Sequence, residues 1–301
     1  MLQTGCRFGR AGRSGWIHTS GPEGPAMTTH ALHHDFTKPW AKQRVSIYKW
    51  CAAITATAAV AVILGVGFGW IPMVPLTGTI TCFVFMTPVF VMFATAWFDT
   101  PGETRTTLEK ANEFSMLWFC IAGAASELWW ELIWLVGDLM GWMHINDHQR
   151  WGWVIWYYGI NDVRYLNSDG PLWAMELTVV IGAAVLLYSW WKLRRAGNDP
   201  DKRIRPLWWT FATMAAMLTV FFIYFVAEAR HGFPNFPRHG FWDVAIVLIY
   251  ENLPWMIAPI VSMPFVAKQL GYLYGIKALN AATPANRTTA QPAVAVAAHT
   301  N

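Results

Sequence analysis

The stretch Leu117–Trp142, LWFCIAGAASELWWELIWLVGDLMGW, decides how the chain is read. It is apolar and tryptophan-rich over a length that crosses a bilayer as a helix, yet it carries two glutamates one helical turn apart, Glu127 and Glu131. Ionisable groups at such depth are costly, so they are functional candidates by default.

Composition extends that reading to the whole chain. Hydrophobic residues make up 55% of the 301 and charged residues 13%, about half the roughly 25% of a soluble domain. Apolar runs at roughly 46–70, 76–98, 114–142, 171–193, 206–228 and 241–270 predict an all-α, polytopic membrane helical bundle of about six transmembrane helices. Thr87-Pro88 falls in the second run and Pro254, Pro259 and Pro264 in the last, which predicts a bent final span.

Basic residues gather in alternate connections. Lys38, Lys42, Arg44 and Lys49 precede the first run; Lys192, Arg194, Arg195, Lys202, Arg203 and Arg205 fill the fourth connection; Lys268 and Lys277 close the sixth run. The odd connections hold only Arg150, Arg164, Arg230 and Arg238, so both termini are expected on the cytoplasmic side. These flanks account for the net charge of +4, and no basic motif remains to support nucleic-acid binding. The membrane is expected to be the endoplasmic reticulum in a eukaryote and the cytoplasmic membrane in a bacterium, because Thr300-Asn301 gives no retention signal.

Residues 1–40 read as a disordered or mis-assigned extension. Met1 to Ala26 has Arg7, Arg10 and Arg13 against Glu23 but no apolar signal core, and Met27 offers a second start. The Ala-, Thr-, Pro- and Asn-rich stretch 279–301 reads as a disordered tail. Cys51, Cys82 and Cys120 fall within runs and read as small apolar fillers, with Cys6 in the extension. The histidines His30, His33 and His34, the pair His144 and His148, and the pair His231 and His239 do not form a ligand run across helix ends, so neither a metal nor a cofactor is expected.

What remains is a set of acids and amides inside the runs: Glu127 and Glu131 on one face of the third, Glu176 just inside the fourth, Glu228 near the end of the fifth, and Glu251 and Asn252 in the sixth with Trp255 a turn later. Any one of them could be neutral and merely satisfy an interhelical hydrogen bond. Together they suit one chemistry. A neutral carboxylic acid protonates an alkene, an aromatic face stabilises the carbocation, and a neighbouring carboxylate removes a proton from the next carbon, so that a double bond migrates. Such a site must exclude water.

These residues also carry a resemblance. In order along the chain stand Leu117-Trp118-Phe119, Asn161-Asp162-Val163-Arg164-Tyr165, Met175-Glu176, Tyr224-Phe225, Glu228-Ala229-Arg230-His231-Gly232-Phe233 and Asn252-Leu253-Pro254-Trp255. Over roughly 112–272 the chain thereby resembles the emopamil-binding protein family, the membrane Δ8-Δ7 sterol isomerases of the EXPERA superfamily. The resemblance implies a five-helix core; this chain departs from it by one extra N-terminal span, with 41–111 holding the N-terminal transmembrane helices. It implies that Glu131 and Glu176 are the proton-shuttling acids, and that Asn252 and Trp255 contact the polar or cationic part of the substrate. Tyr165 and Glu251 join that substrate-binding set, and Glu127 joins the catalytic one. Glu127 is also the departure, because it stands where the isomerases have histidine.

The reading is therefore of an isomerase that shifts a C=C bond in a sterol or sterol-like lipid, embedded among membrane lipids, with a homodimer allowed. The alternatives are a non-catalytic sterol- or lipid-binding or trafficking protein of the same superfamily, and a carbocation-forming terpenoid cyclase. A proton-coupled transporter shares the intramembrane acids but ordinarily shows internal repeats, and none is visible in this chain.

Overall fold

The computed structural model describes residues 34–38, 40–142, 146, 148–236, 245 and 249–289. The readings of residues 1–33, His30, His33, His144, Arg238, His239 and the last twelve residues lie outside these. Among the described residues every regular element is helical.

Five helices are long and apolar enough to cross a membrane. They are α1 (Lys42–Gly67), α2 (Pro75–Trp97), α6 (Gly170–Ala196), α7 (Pro200–Arg230) and the membrane-length part, Leu253–Ala281, of α8 (Leu253–Thr289). The first four, at 23 to 31 residues, are about 35–46 Å long at 1.5 Å per residue. Asp169 and Asp199 accept from the first-turn amides Leu172 N–H (2.8 Å) and Asp201 N–H (3.0 Å), each just ahead of a proline in the first turn, so α6 and α7 start sharply. That cap is why α7 begins at Pro200 and not near residue 206.

The third expected span is not one helix. It runs as α3 (Thr107–Ile121), a π-helical turn (Ala122–Glu127), a short non-helical link and α4 (Glu131–Leu139). Thr106 and Glu109 form a reciprocal capping box at its start. Ten of the fifteen residues of α3 are buried, which makes it the axis of the bundle. Around it pack Tyr48 of α1, Phe93 of α2, Leu186 of α6, Met214 of α7, and Ala258 and Leu273 of α8. α1 is the opposite case, with Trp50, Ile54, Val60, Ile63 and Leu64 exposed, as a lipid-facing helix requires.

Among the described residues of the connection 142–171, a 3₁₀ turn (Arg150–Gly152), α5 (Trp153–Gly159) and a second 3₁₀ turn (Val163–Tyr165) fold back over the end of the bundle. α5 docks on α2 where Gly78 leaves room, since a Cβ there would lie 1.9 Å from the Tyr157 ring. The tail expected from residue 279 is helical to Thr289, because Ala278, Ala281, Ala282 and Ala285 favour helix. Pro254 sits in the first turn of α8, where it costs no hydrogen bond, while Pro88, Pro259 and Pro264 lie within helices that continue past them.

The two ends of the bundle differ in charge. At one end Glu113 accepts from Arg44 Nε (2.9 Å), Arg105 Nη1 (2.7 Å) and the Tyr48 hydroxyl, Arg44 also pairs with Glu103, and Lys277 reaches Asp201 at 2.6 Å. The starts of α1, α3 and α7 and the ends of α2 and α6 meet there, as the grouping of lysines and arginines in the sequence requires. The other end is capped by α5 and its flanking turns.

Candidate functional site

The break in the third span builds the site. Ala122-Gly123-Ala124-Ala125-Ser126 is a run of small residues, and at Gly123 it packs tightly against α6. At Gly123 a Cβ would stand 2.6 Å from Leu187 Cβ and 2.8 Å from the Ala183 carbonyl oxygen, so glycine is what permits the approach. π-turns inside helices concentrate at functional sites. Here the π-turn ends on Glu127, and α4 begins on Glu131.

The two glutamates do not share one uninterrupted helical face, as their spacing predicts, but their carboxylates still converge. One oxygen from each of Glu127, Glu131 and Glu176 lies within 4.8 Å of the other two. Glu127 is fully buried, and neither of its oxygens meets a protein donor. Glu131 is 7% exposed with Oε2 unpaired. Glu176, on the second turn of α6, accepts a short hydrogen bond from the Tyr165 hydroxyl.

Two acidic charges about 5 Å apart repel by roughly 3 kcal/mol at an effective dielectric of about 20. No Lys or Arg lines the cavity they face. The same oxygens could bind a divalent ion, the carboxylate set being chemically suited to one.

The remaining walls are aromatic and amide. Tyr165 packs its ring 4.8 Å from Trp134 and edge-on to Tyr158 at 4.7 Å, and its carbonyl accepts from Trp134 Nε1 at 3.0 Å. Asn252 Nδ2 donates to the Tyr158 hydroxyl at 3.4 Å, and Trp255 lies 4.8 Å from the buried Trp118. Glu127, Glu131, Glu176, Tyr165, Asn252 and Trp255 therefore line one cavity, completed on the α7 side by Met217, Phe221 and Phe225. Its volume is about 60 Å³, and larger cavities lie elsewhere in the bundle.

Glu251 does not line this cavity. Its carboxylate is nevertheless buried, with Oε2 lacking a hydrogen-bond partner.

The sequence reading missed Tyr158 and a buried ionic network beside the site. Arg164 forms two parallel hydrogen bonds to Asp162 (Nε to Oδ1 2.9 Å, Nη2 to Oδ2 2.7 Å) and pairs with Glu228 at 3.0 Å, its guanidinium 4.4 Å above the Tyr224 ring. The Tyr224 hydroxyl donates to Asp162, and Asn235 donates to Glu228 at 2.8 Å. This network ties the turn carrying Tyr165 to the end of α7 and so fixes the Tyr165 hydroxyl over Glu176. Its signal in the sequence was the spacing Asp162-x-Arg164 with a further acid at the close of the fifth run.

No family model matches the chain, and neither a curated protein nor a solved structure matches it.

Proposed function

We propose that this integral membrane protein is an isomerase that moves a C=C double bond by one position in a sterol or sterol-like lipid. The observation that carries the reading is the meeting of three buried carboxylates with Tyr165, Asn252 and Trp255 on one cavity.

The reaction is proton-neutral. A protonated carboxyl gives its proton to one alkene carbon, the π electrons form the new C–H bond, and the other alkene carbon becomes cationic. A carboxylate then takes a proton from the carbon on the far side of the cation, and that C–H pair becomes the new double bond. Acid and base thus act two carbons apart, which requires their oxygens to be close neighbours, as those of Glu131 and Glu176 are. Glu131 serves as the acid, Glu176 as the base held by Tyr165, and Glu127 as the group that returns the proton from one to the other. Trp255 offers its face to the cation.

The 60 Å³ cavity is well below the roughly 300–1,000 Å³ of sites that enclose a ligand of this class. A polycyclic substrate is admitted by displacement of the partly buried Phe221 and Phe225, and its bulk then excludes the water that would trap the cation.

The test is to incubate the purified protein with a Δ8 sterol in deuterated water. Deuterium is expected in a Δ7 product with wild type and is expected to vanish with Glu131→Gln and with Glu176→Gln. Full activity of the Glu131→Gln/Glu176→Gln double mutant removes the mechanism. Saturable sterol binding with no label incorporated identifies a binding or trafficking protein in place of an enzyme.

A further inference from the structure

A second cavity of about 770 Å³ opens at the basic end of the bundle and shares no lining residue with the cavity of the acid cluster. α3 forms its floor, and α1 and α6 form its sides. Its lining includes Lys38, Lys49, Arg194 and Arg203 and not a single acid. Lys38 is shared with Glu109 at 3.6 Å, whereas Lys49, Arg194 and Arg203 have no carboxylate partner among the described residues.

Arg203 is the informative one. Only 2% of it is exposed, its guanidinium lies 4.4 Å above the Phe36 ring, and its two protein hydrogen bonds go to neutral oxygens, Gly197 O at 3.0 Å and Asn112 Oδ1 at 3.2 Å. Its Nε–H has no acceptor. A buried, permanently charged group with a spare donor calls for an anion.

The rest of the cavity says what kind of anion. Asn112, Met116 and Cys120 descend α3 one turn at a time, so the lining passes from cationic to apolar over about 12 Å of helix. On α1 the step from Lys49 to Ala52 runs in the same direction. A free inorganic anion would use only the mouth of such a slot. The chain's own N-terminal stretch is the wrong occupant by charge, with Arg7, Arg10 and Arg13 against the single acid Glu23 in residues 1–33.

We infer that this slot binds an anionic phospholipid, with the phosphate held by Arg203 together with Lys49 and Arg194 and an acyl chain laid against α1 and α3. The volume lies within the range of sites that enclose a ligand of drug size, enough for a headgroup and part of one chain. The site is independent of the isomerase reading.

The test is the unfolding temperature of the full chain in detergent, with phosphatidylglycerol, phosphatidylcholine or inorganic phosphate added at equal concentration. Phosphatidylglycerol is expected to raise it by several degrees and to survive in native mass spectra at about tenfold lower concentration than phosphatidylcholine. Arg203→Gln should abolish the shift, but that side chain also pins the α6–α7 turn. The exposed pair Lys49→Ser/Arg194→Gln therefore provides the second arm: the lipid-free unfolding temperature stays at the wild-type value and most of the shift is lost. Equal stabilisation by both lipids, or a phosphatidylglycerol shift unchanged in both variants, overturns the proposal. A full shift with inorganic phosphate alone overturns the lipid assignment in favour of a soluble anion.

Discussion

The Tyr165 hydroxyl donates to the Glu176 carboxylate, and it does so from a 3₁₀ turn that belongs to neither helix of the acid cluster. Its removal leaves the fold's helices untouched and withdraws one donor from one acid. Tyr165→Phe should lower kcat for double-bond migration about 10- to 100-fold with KM nearly unchanged, the loss expected for a hydrogen bond to a charged or charge-developing group. Steady-state kinetics of the variant beside wild type checks this.

Glu127 stands where the resemblance expects histidine and is the most deeply buried acid of the three. Glu127→His replaces one of three like-charged groups by one that can carry the opposite charge beside Glu131. Turnover of a Δ8 sterol should be retained or raised in that variant, whereas Glu131→His should lose it. A Glu127→His protein that folds normally but is inactive would show that the proton return needs a carboxylate at this position.

Arg164 holds two buried acids at once. Arg164→Met should cost about 3–5 kcal/mol of stability, because Asp162 and Glu228 are then left buried without a cation. Adding Asp162→Asn to that background should recover part of the loss. Thermal unfolding of the single and double variants measures the difference.

Gly123, in the π-turn, packs so tightly on α6 that a Cβ there would stand 2.6 Å from Leu187 Cβ. Gly123→Val should push the helices apart, move Glu127 away from Glu176, and lower both the unfolding temperature and the activity. Val62→Ala, which trims packing on α1 away from that contact, should lower the unfolding temperature modestly and leave the activity at the wild-type level. The comparison separates a geometric effect at the crossing from general loss of packing.

One carboxyl outside the spans gives a pH test. Asp99 accepts from Lys110 at 2.7 Å and from Arg105 at 2.7 Å, and these cations hold its carboxyl down at about 2. A carboxyl depressed in the folded chain contributes stability above its unfolded value and loses that contribution as the pH falls through the folded value. Asp99→Asn should therefore cost up to about 1 kcal/mol at neutral pH, since the pair is partly exposed. The gap between variant and wild type in unfolding temperature should close as the pH is lowered from about 4 toward 2.

The long helices were legible because a membrane helix announces itself by length and apolarity, and α1, α2 and α6 begin or end within a few residues of their runs. The break at 122–130 was not, since it sits against a contact, Gly123 on Leu187, between residues 64 apart in sequence. Similarly, Glu127, Glu131 and Glu176 could be picked out one by one as acids in apolar surroundings, while their meeting at 4.8 Å depends on how α4 leaves the π-turn. Tyr158 escaped notice because α5, at 7 residues, is too short to register as a span. The helical continuation to Thr289 was hidden by Pro284 and the threonines, whose local signal outweighed the alanines around them.

An α-helix turns by about 100° per residue, so the number of residues between Ile121 and Glu131 acts as a phase setting for everything that follows. The π-turn at Ala122–Glu127 widens the helix locally to hold that number in a fixed axial length. Deleting one residue there, Ala124 for instance, would let the segment close toward an ordinary α-helix and rotate α4 by about that angle, carrying Glu131 out of reach of Glu176. The composition of the site would be unchanged and every acid still present. The meeting of the three carboxylates would be lost to a change of azimuth alone.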